Sequence, residues 1–363
     1  MKIKIQKKSL LEAAQAVQSV VSVRNTLPIL SNMLIETQKD KLKLITTDLD
    51  IAIICTINAA VSQEGATTVP AKRFTDIIKE LPEGEITISA KKNNIITIDC
   101  ASTYFKINSL PKEDFPKLPN YKNHESITLN QETLKNMLNM TSFAISHDET
   151  RYILNGILFE LNKDKLTMVA TDGRRLAYIE KKLDTKTQKE RKMIVPAKTI
   201  NELSKALTTG EVKMYFGENQ TTFDTGNVVI ISRLIEGEFP RYQQVIPKEQ
   251  KSKLTVETGR FLAAAKRANL LTNQDSQAIK LDIFKDRVVI SKNTPDVGEA
   301  REELEAEYKG GDLSIGFNPG YLIDALKNLD TEKIGFEVSA PDKPGVIRTE
   351  DNFIYVVLPM QLG

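Results

Sequence analysis

The chain has 363 residues, 40% of them hydrophobic and 27% charged, and a formal net charge of +2 at pH 7. That length exceeds one ordinary core and predicts two or three domains, while the composition is that of a soluble globular protein. No apolar run approaches the roughly 20 residues of a membrane span, so a membrane protein is excluded.

The N-terminus, MKIKIQKKSLLEAAQ, alternates from its start and lacks the apolar core of a signal peptide. Periodicity then predicts a first helix near Leu10–Val21. ILSNMLIE (Ile29–Glu36) and KDKLKLITTD (Lys39–Asp48) read as strands. Cys55 and Cys100 sit singly in strand-like segments, as buried thiols of a reducing compartment do, and a cytoplasmic location is expected. VPAKRFTDIIKEL (Val69–Leu81) has Pro in its first turn and Phe74, Ile77, Ile78 and Leu81 on one face, a helix. GEITI from Gly84, IITIDC and YFKINSL are strands, and LPKEDFP (Leu110–Pro116) closes the unit.

The same series then recurs. A helix near Gln131–Thr141 precedes ILNGILFE (Ile153–Glu160) and KDKLTMVATD (Lys163–Asp172). VPAKTINELSKAL (Val195–Leu207) repeats the helix through Ile200, Leu203 and Leu207; GEVKM at Gly210 and LIEGEFP (Leu234–Pro240) follow. The fifth helix, near Gly259–Leu271, leads to AIKLDIF (Ala278–Phe284) and KDRVVISKNT (Lys285–Thr294). FNPGYLIDALKNL (Phe317–Leu329) has Leu322, Ile323, Leu326 and Leu329 in phase, and this copy halts at LPM, Leu358–Met360. Order and spacing agree across segments, so three tandem domains are expected at 1–125, 126–250 and 251–363. The expected linkers are Pro116–Ser126 and Lys248–Ser252. Helices segregated on antiparallel sheets make the fold class α+β.

One copy departs from the others. Only the middle strand unit continues, after its Asp-Gly turn, as GRRLA (Gly173–Ala177), which marks it as a candidate site. Charge is also uneven: residues 1–125 carry +3, 126–250 carry +2 and 251–363 carry −3. An acidic run (Asp296, Glu299, Glu302, Glu303, Glu305, Glu307) accounts for much of the deficit. It reads either as a solvated loop or as a surface meeting the basic first domain of another copy. Lys72, Arg73 and Lys79, then Lys198 and Lys205, then Lys327 lie on matching helix faces, with Arg260, Lys266 and Arg267 on the fifth helix and Arg24 after the first. Repetition at matching places predicts one sequence-independent phosphate surface. Asp48, Asp50 and Asp172 stand at strand ends where Asp starts turns, and no HExxH, CxxC, GxSxG or phosphate loop is present, so no catalysis is expected. His124 and His147 are the only histidines, and no metal or other cofactor is expected.

Size allows a ring. A 120-residue domain has a radius of gyration of about 13.6 Å, hence an equivalent sphere of roughly 17–18 Å. Six such spheres in a closed hexagon leave a hole of roughly 35 Å, enough for a duplex about 20 Å wide; three leave about 5 Å. Six domains require two chains, and two-fold closure is the commonest assembly.

The three repeats, ATDGRRLA (Ala170–Ala177), FPRYQQVIP (Phe239–Pro247) and YVVLPMQLG (Tyr355–Gly363) together resemble the bacterial sliding-clamp family, the beta subunits of DNA polymerase III, over essentially the whole chain. The resemblance implies the DNA clamp fold, with helices lining a central hole and antiparallel sheets outside. It implies a head-to-tail homodimer around double-stranded DNA that serves as processivity factor for the DNA polymerase III alpha subunit. It further implies opening by a clamp loader complex, and binding of other DNA polymerases and repair factors through short clamp-binding peptides. With no P-loop, the chain itself is not expected to hydrolyse ATP. Matched motif by motif, the peptide pocket comprises Leu154, Thr171, Gly173, Arg174, Arg175, Leu176, Pro240, Gln244, Val245, Val356, Leu358, Pro359 and Met360. DNA contact falls to Arg24, Arg73, His147, Tyr152, Ile153 and Lys198. The subunit contact falls to Phe105 and Ile107 of the first domain against Leu270 and Leu271 of the third. Arg174 stands where the family often has His, Gln244 where a basic residue is common, and Gln361 where Arg is frequent. These departures are expected to change charge at the pocket rim, leaving its apolar floor intact.

Overall fold

The structure, a computed structural model, describes residues 1–21, 27–91, 94–183, 189–248, 252–295 and 297–362. Arg24, Asp296 and residues 249–251 of the second linker lie outside the described residues. The chain forms two compact units, Met1–Leu134 with Asn201–Leu234, and Lys135–Ile200 with Ile235–Gly363.

Two antiparallel sheets build the first unit. One runs, in spatial order, Ala60–Gln63, Lys2–Gln6, Glu85–Lys91, Ile95–Cys100 and Thr103–Asn108. The other has eight strands, ordered Ser126–Asn130, Glu211–Phe216, Gln220–Asp224, Val228–Arg233, Ile51–Asn58, Lys41–Thr47, Asn32–Gln38 and Gly65–Pro70. In Lys41–Thr47 the expected alternation holds at first, with Leu42 and Leu44 buried between outward lysines, then gives way to burial on both faces from Ile45 onward. The second face is covered there by Phe115, just before the first linker, which packs with Ile45, Ile29 and Leu30.

Helix α1 (Lys7–Gln18) buries Leu10, Ala13, Ala14 and Val17, and α2 (Ala71–Glu80) buries Ala71, Phe74, Thr75 and Ile78. The two pack on each other. Helix α1 begins three residues before Leu10, where periodicity would start it, and ends before Val21. Its polar first turn carries no apolar signal, yet it is fixed from outside: the Lys7 amide donates to Gly84 O at 2.9 Å and Lys7 Nζ to Leu81 O at 2.5 Å.

The second unit is organised on one twelve-stranded antiparallel sheet. Its order is Arg191–Pro196, Gly156–Asn162, Lys165–Thr171, Arg175–Lys182, Phe353–Val357, Gly345–Arg348, Lys333–Glu337, Lys253–Glu257, Gly298–Tyr308, Arg287–Thr294, Ile279–Ile283 and Leu313–Phe317. Helices α3 (Gln131–Ser142) and α4 (Ala197–Ala206) each cross the division between units. In the second unit α5 (Thr258–Asn269) packs on α6 (Pro319–Leu326), above the ring cluster of Phe261, Phe317 and Phe336. The acidic run is not a solvated loop. Its glutamates stand in the strand Gly298–Tyr308, paired with Arg287–Thr294 from Thr294↔Gly298 to Arg287↔Glu305.

Both long sheets cross the repeat boundaries seen in the sequence. In the first unit Val228–Ser232 pairs antiparallel with Ile51–Cys55, joining strands of repeats one and two. In the second unit Phe353–Val357 pairs in the same sense with Arg175–Ile179, joining repeats two and three. Alternation within each repeat could not reveal this, because the joining pairs lie more than 170 residues apart.

Candidate functional site

The GRRLA run begins at the tight turn between Lys165–Thr171 and Arg175–Lys182, and side chains of the run itself fix that turn. Thr171 Oγ1 accepts from the Gly173 amide (3.1 Å) and donates to Arg175 O (2.6 Å). Asp172 Oδ1 accepts from the amides of Arg174 (2.9 Å) and Arg175 (3.0 Å). Gly173 has φ +86°, a left-handed conformation natural to glycine. Beside it, Arg151 Nη1 donates to Asp172 O at 3.4 Å.

Under the turn lies an apolar cluster of Leu154, Leu158, Val169, Leu176, Ile194, Phe239, Tyr242, Val346 and Val356. Ile153, Tyr178, Ile235, Ile246 and Ile354 pack on its margin. Leu154, Leu176 and Val356, expected in the pocket, are thus members of this one cluster. Leu358 is held at the rim by its amide, which donates to Arg174 O at 2.9 Å, and is 43% exposed. Met360 is fixed in the same way, its amide donating to Gly316 O at 2.8 Å. Pro240, Gln244 and Val245 are exposed on the segment that carries buried Phe239 and Tyr242, and Pro359 is half-buried next to Leu358. An apolar floor with exposed apolar side chains and ordered backbone at its rim suits a short peptide bearing apolar side chains.

Two features of this region escape a sequence reading. Arg175, expected to line the pocket, is held by charged and aromatic partners. Its guanidinium pairs with Asp172 (3.0 Å) and Asp324 (2.8 Å), with only 10% of the side chain exposed, and it lies over the Tyr321 ring (4.5 Å) and near Phe143 (5.8 Å). It therefore ties the turn to α6, and no local pattern announces a partner 149 residues away. Burial opposes the charge on Asp324, yet hydrogen bonds from Arg175 and Lys327 outweigh it and hold that carboxyl below its ordinary range. Tyr242 is the second. Its hydroxyl donates to Glu160 Oε2 at 2.5 Å, and Lys192 Nζ meets the same carboxylate at 2.6 Å. Burial, then Glu160, pushes the Tyr242 hydroxyl well above its ordinary value. FPRYQQVIP was the available signal, but nothing in it distinguishes Tyr242 from its neighbours.

The described residues expected at DNA fall in both units. Arg73 is exposed on α2 in the first unit. In the second unit His147 and Lys198 are exposed and Tyr152 is 57% exposed, whereas Ile153 packs on the apolar cluster. Several helix cations are already partnered: Lys205 with Glu202 (2.8 Å), Arg260 with Glu257 (2.9 Å), Arg267 with Glu302 and Lys327 with Asp324 (2.8 Å). Lys72, Arg73, Lys79 and Lys266 are exposed with no ion pair among the described residues. Of the residues expected at a subunit contact, Leu270 is 79% exposed and Phe105 36%, Leu271 is half-buried, and Ile107 is buried within its own unit at 6%. Among the described residues no group of three or more His, Cys, Asp or Glu is placed to hold a metal ion. No helix among them is long and apolar enough to cross a membrane.

Profiles of the three domains of the DNA polymerase III beta subunit match in order: the N-terminal domain over residues 1–119, the central domain over 128–241 and the C-terminal domain over 243–361. The beta sliding clamp of Escherichia coli K12 is 33% identical over 370 residues, covering 100% of both chains. A sliding-clamp crystal structure from Bacillus subtilis superposes with a TM-score of 0.96 at 32% identity, covering 100% of each chain. A clamp from Bartonella birtlesii, bound to griselimycin, gives 0.94 at 36% identity, also over 100% of each. Motif, fold and full-length similarity agree: the chain belongs to the bacterial DNA polymerase III beta subunit family, the beta sliding clamps.

Proposed function

We propose that this chain is a DNA sliding clamp: a head-to-tail homodimeric ring that encircles duplex DNA and tethers the replicative polymerase by a peptide held at the Leu154–Leu176–Val356 floor. The observation that carries the ring is the repeated sheet joint. Twice along the chain, a strand of one repeat pairs antiparallel with a strand of the next. The series leaves Thr103–Asn108 at the edge of its sheet, and Gly298–Glu305 paired on one side only. These are the two halves of a third such joint, and two copies of the chain complete each other's.

The internal joints supply a register for the external one. Ile230 opposes Ile53 in the first and Tyr355 opposes Ala177 in the second. By their places in the repeats, Phe105 then opposes Ala300 and Lys106 opposes Glu299 of the other copy. Opposite charges meet, and the exposed Leu270 lies on the element next to the acceptor strand. Domain boundaries at 1–125, 126–250 and 251–363 are the units of this series. The clamp loader, the alpha subunit, other polymerases and repair factors are its peptide-bearing partners. The chain does no catalysis of its own and works in the cytoplasm.

A Phe105→Cys/Ala300→Cys double variant should form a covalent dimer on oxidation, since opposed Cβ atoms lie about 4.5–5.5 Å apart in such a pair. A dimer loaded on nicked circular DNA and then cross-linked should stay with the circle and slide off once the circle is cut. Failure to cross-link, or equal loss from circle and linear duplex, would refute the ring. Leu270→Glu should give monomers by sedimentation.

A further inference from the structure

The chain has one deeply buried lysine whose ammonium meets no carboxylate among the described residues. Lys292, 4% exposed, lies in the strand Arg287–Thr294. Its Nζ donates to Ser276 O (2.8 Å), Ser276 Oγ (2.6 Å) and Ala278 O (2.9 Å), so all three of its donors are spent on one short segment. The repeats put Thr46 and Ala170 at the same place in their strands. Thr46 donates to Val17 O near the end of α1. A small residue therefore suffices for the fold there, and burying an ammonium without a counter-ion is costly. Burial pulls the Lys292 ammonium below its ordinary value.

What the lysine holds is the segment that follows α5. That segment begins with Leu270 and Leu271 and turns at Asn273, whose side chain accepts from the amides of Asp275 (3.1 Å) and Ser276 (2.7 Å). Two strand residues grip it from below: Thr294 Oγ1 donates to Leu271 O at 2.6 Å, and Lys292 takes Ser276 and Ala278. Leu270, 79% exposed, projects from the start of the gripped stretch. A leucine so exposed gains from a partner surface only if its backbone is already fixed, because ordering it on contact would cost affinity.

We infer that Lys292 is a positioning residue for self-association: it clamps Leu270–Ala278 so that Leu270 is presented ready-made to a second copy of the chain. The inference rests on the head-to-tail dimer proposed above. Lys292→Met keeps volume and removes the donors. Sedimentation across a dilution series should show its dimer dissociation constant raised by about tenfold or more, as expected for losing hydrogen bonds from a charged group. Amide exchange in residues 270–278 should quicken while the rest of the second unit stays protected. Ser276→Ala, which removes one acceptor, should give a smaller change in the same direction. A dissociation constant within twofold of the parent, in a chain that Leu270→Glu still renders monomeric, would overturn the role of Lys292 and leave the dimer standing. Faster exchange throughout the second unit would also overturn it, by making Lys292 an ordinary core residue. A parent chain that stays monomeric at every concentration would instead remove the dimer itself.

Discussion

The two internal joints of this molecule are built alike, yet only one carries the features of a site. At the first, Thr47 Oγ1 accepts from the Leu49 amide and donates to Ile51 O (both 3.0 Å), while Asp48 Oδ1 accepts from the amides of Asp50 (3.0 Å) and Ile51 (2.9 Å). That is the same hydrogen-bond scheme, atom for atom, as Thr171 and Asp172 provide at the second. Even the left-handed residue is shared, with φ +81° at Leu49 and +86° at Gly173. Apolar residues from the segment that follows the last strand of the repeat cover both joints, Phe115 and Leu118 in one and Phe239 and Tyr242 in the other.

The difference lies in what replaces what. Ile51, 2% exposed, is plain core where Arg175 is a buried cation bound to two carboxylates and stacked on Tyr321. Leu118 stands where Tyr242 reaches Glu160. A joint that has only to hold needs apolar contacts alone. On the function proposed above, the second joint must also keep a rim in place while its floor stays accessible, and directional bonds would supply that where close packing would close the floor over.

Arg175→Met breaks this comparison most severely. It leaves Asp172 and Asp324 facing each other's surroundings without their cation, a loss of about 3 kcal/mol when one member of a buried pair is removed. Ile51→Val at the first joint removes one methylene, for about 1 kcal/mol. Urea unfolding of the two variants should show this ratio, and Arg175→Met should also weaken peptide binding because the rim loses its tie to α6. Equal costs would mean that the ion pairs do not distinguish the joints.

The left-handed position gives a smaller contrast. In Gly173→Ala the new Cβ would come within 2.8 Å of Arg151 Nη1. That guanidinium is on a side chain 57% exposed and can swing aside, so the cost is that of the backbone conformation, about 1 kcal/mol. Leu49→Gly relieves the same strain and adds chain entropy to the unfolded state, so its net effect should lie within about 0.5 kcal/mol. Thermal midpoints of the pair should separate accordingly. A glycine as costly at 49 as alanine is at 173 would show that Leu49 is held by contacts rather than tolerated.

Much of this was legible beforehand, and the parts that were not share a cause. The repeats and the second helix of each follow from spacing, and the resemblance of contiguous motifs to a family singles out Leu154, Leu176 and Val356, which the fold brings into one apolar cluster. The sheet joints, the Arg175–Asp324 pair and the grip of Lys292 on Ser276 are relations between segments, and local pattern is blind to partners. The acidic run shows the same limit. Its charge was evident, but its strand Gly298–Tyr308 is set by pairing with Arg287–Thr294, so the run alone could not exclude a loop.

The smallest expected effect concerns acid. Hydrogen bonds from Arg175 and Lys327 hold the Asp324 carboxyl below its ordinary value of 3.8 against the opposing effect of burial. A depressed folded value means that the stability this group contributes is complete above that ordinary value and is lost as the pH falls through the folded one. Parent and Arg175→Met chains should therefore differ by a constant amount from neutral pH down to about pH 5, and the gap should narrow below the carboxyl's ordinary range. Ile51→Val touches no titrating group, so its cost should stay level throughout. A gap for Arg175→Met that is equally level would assign its cost to lost packing over Tyr321 and Phe143, and the second joint would then differ from the first in shape rather than in charge.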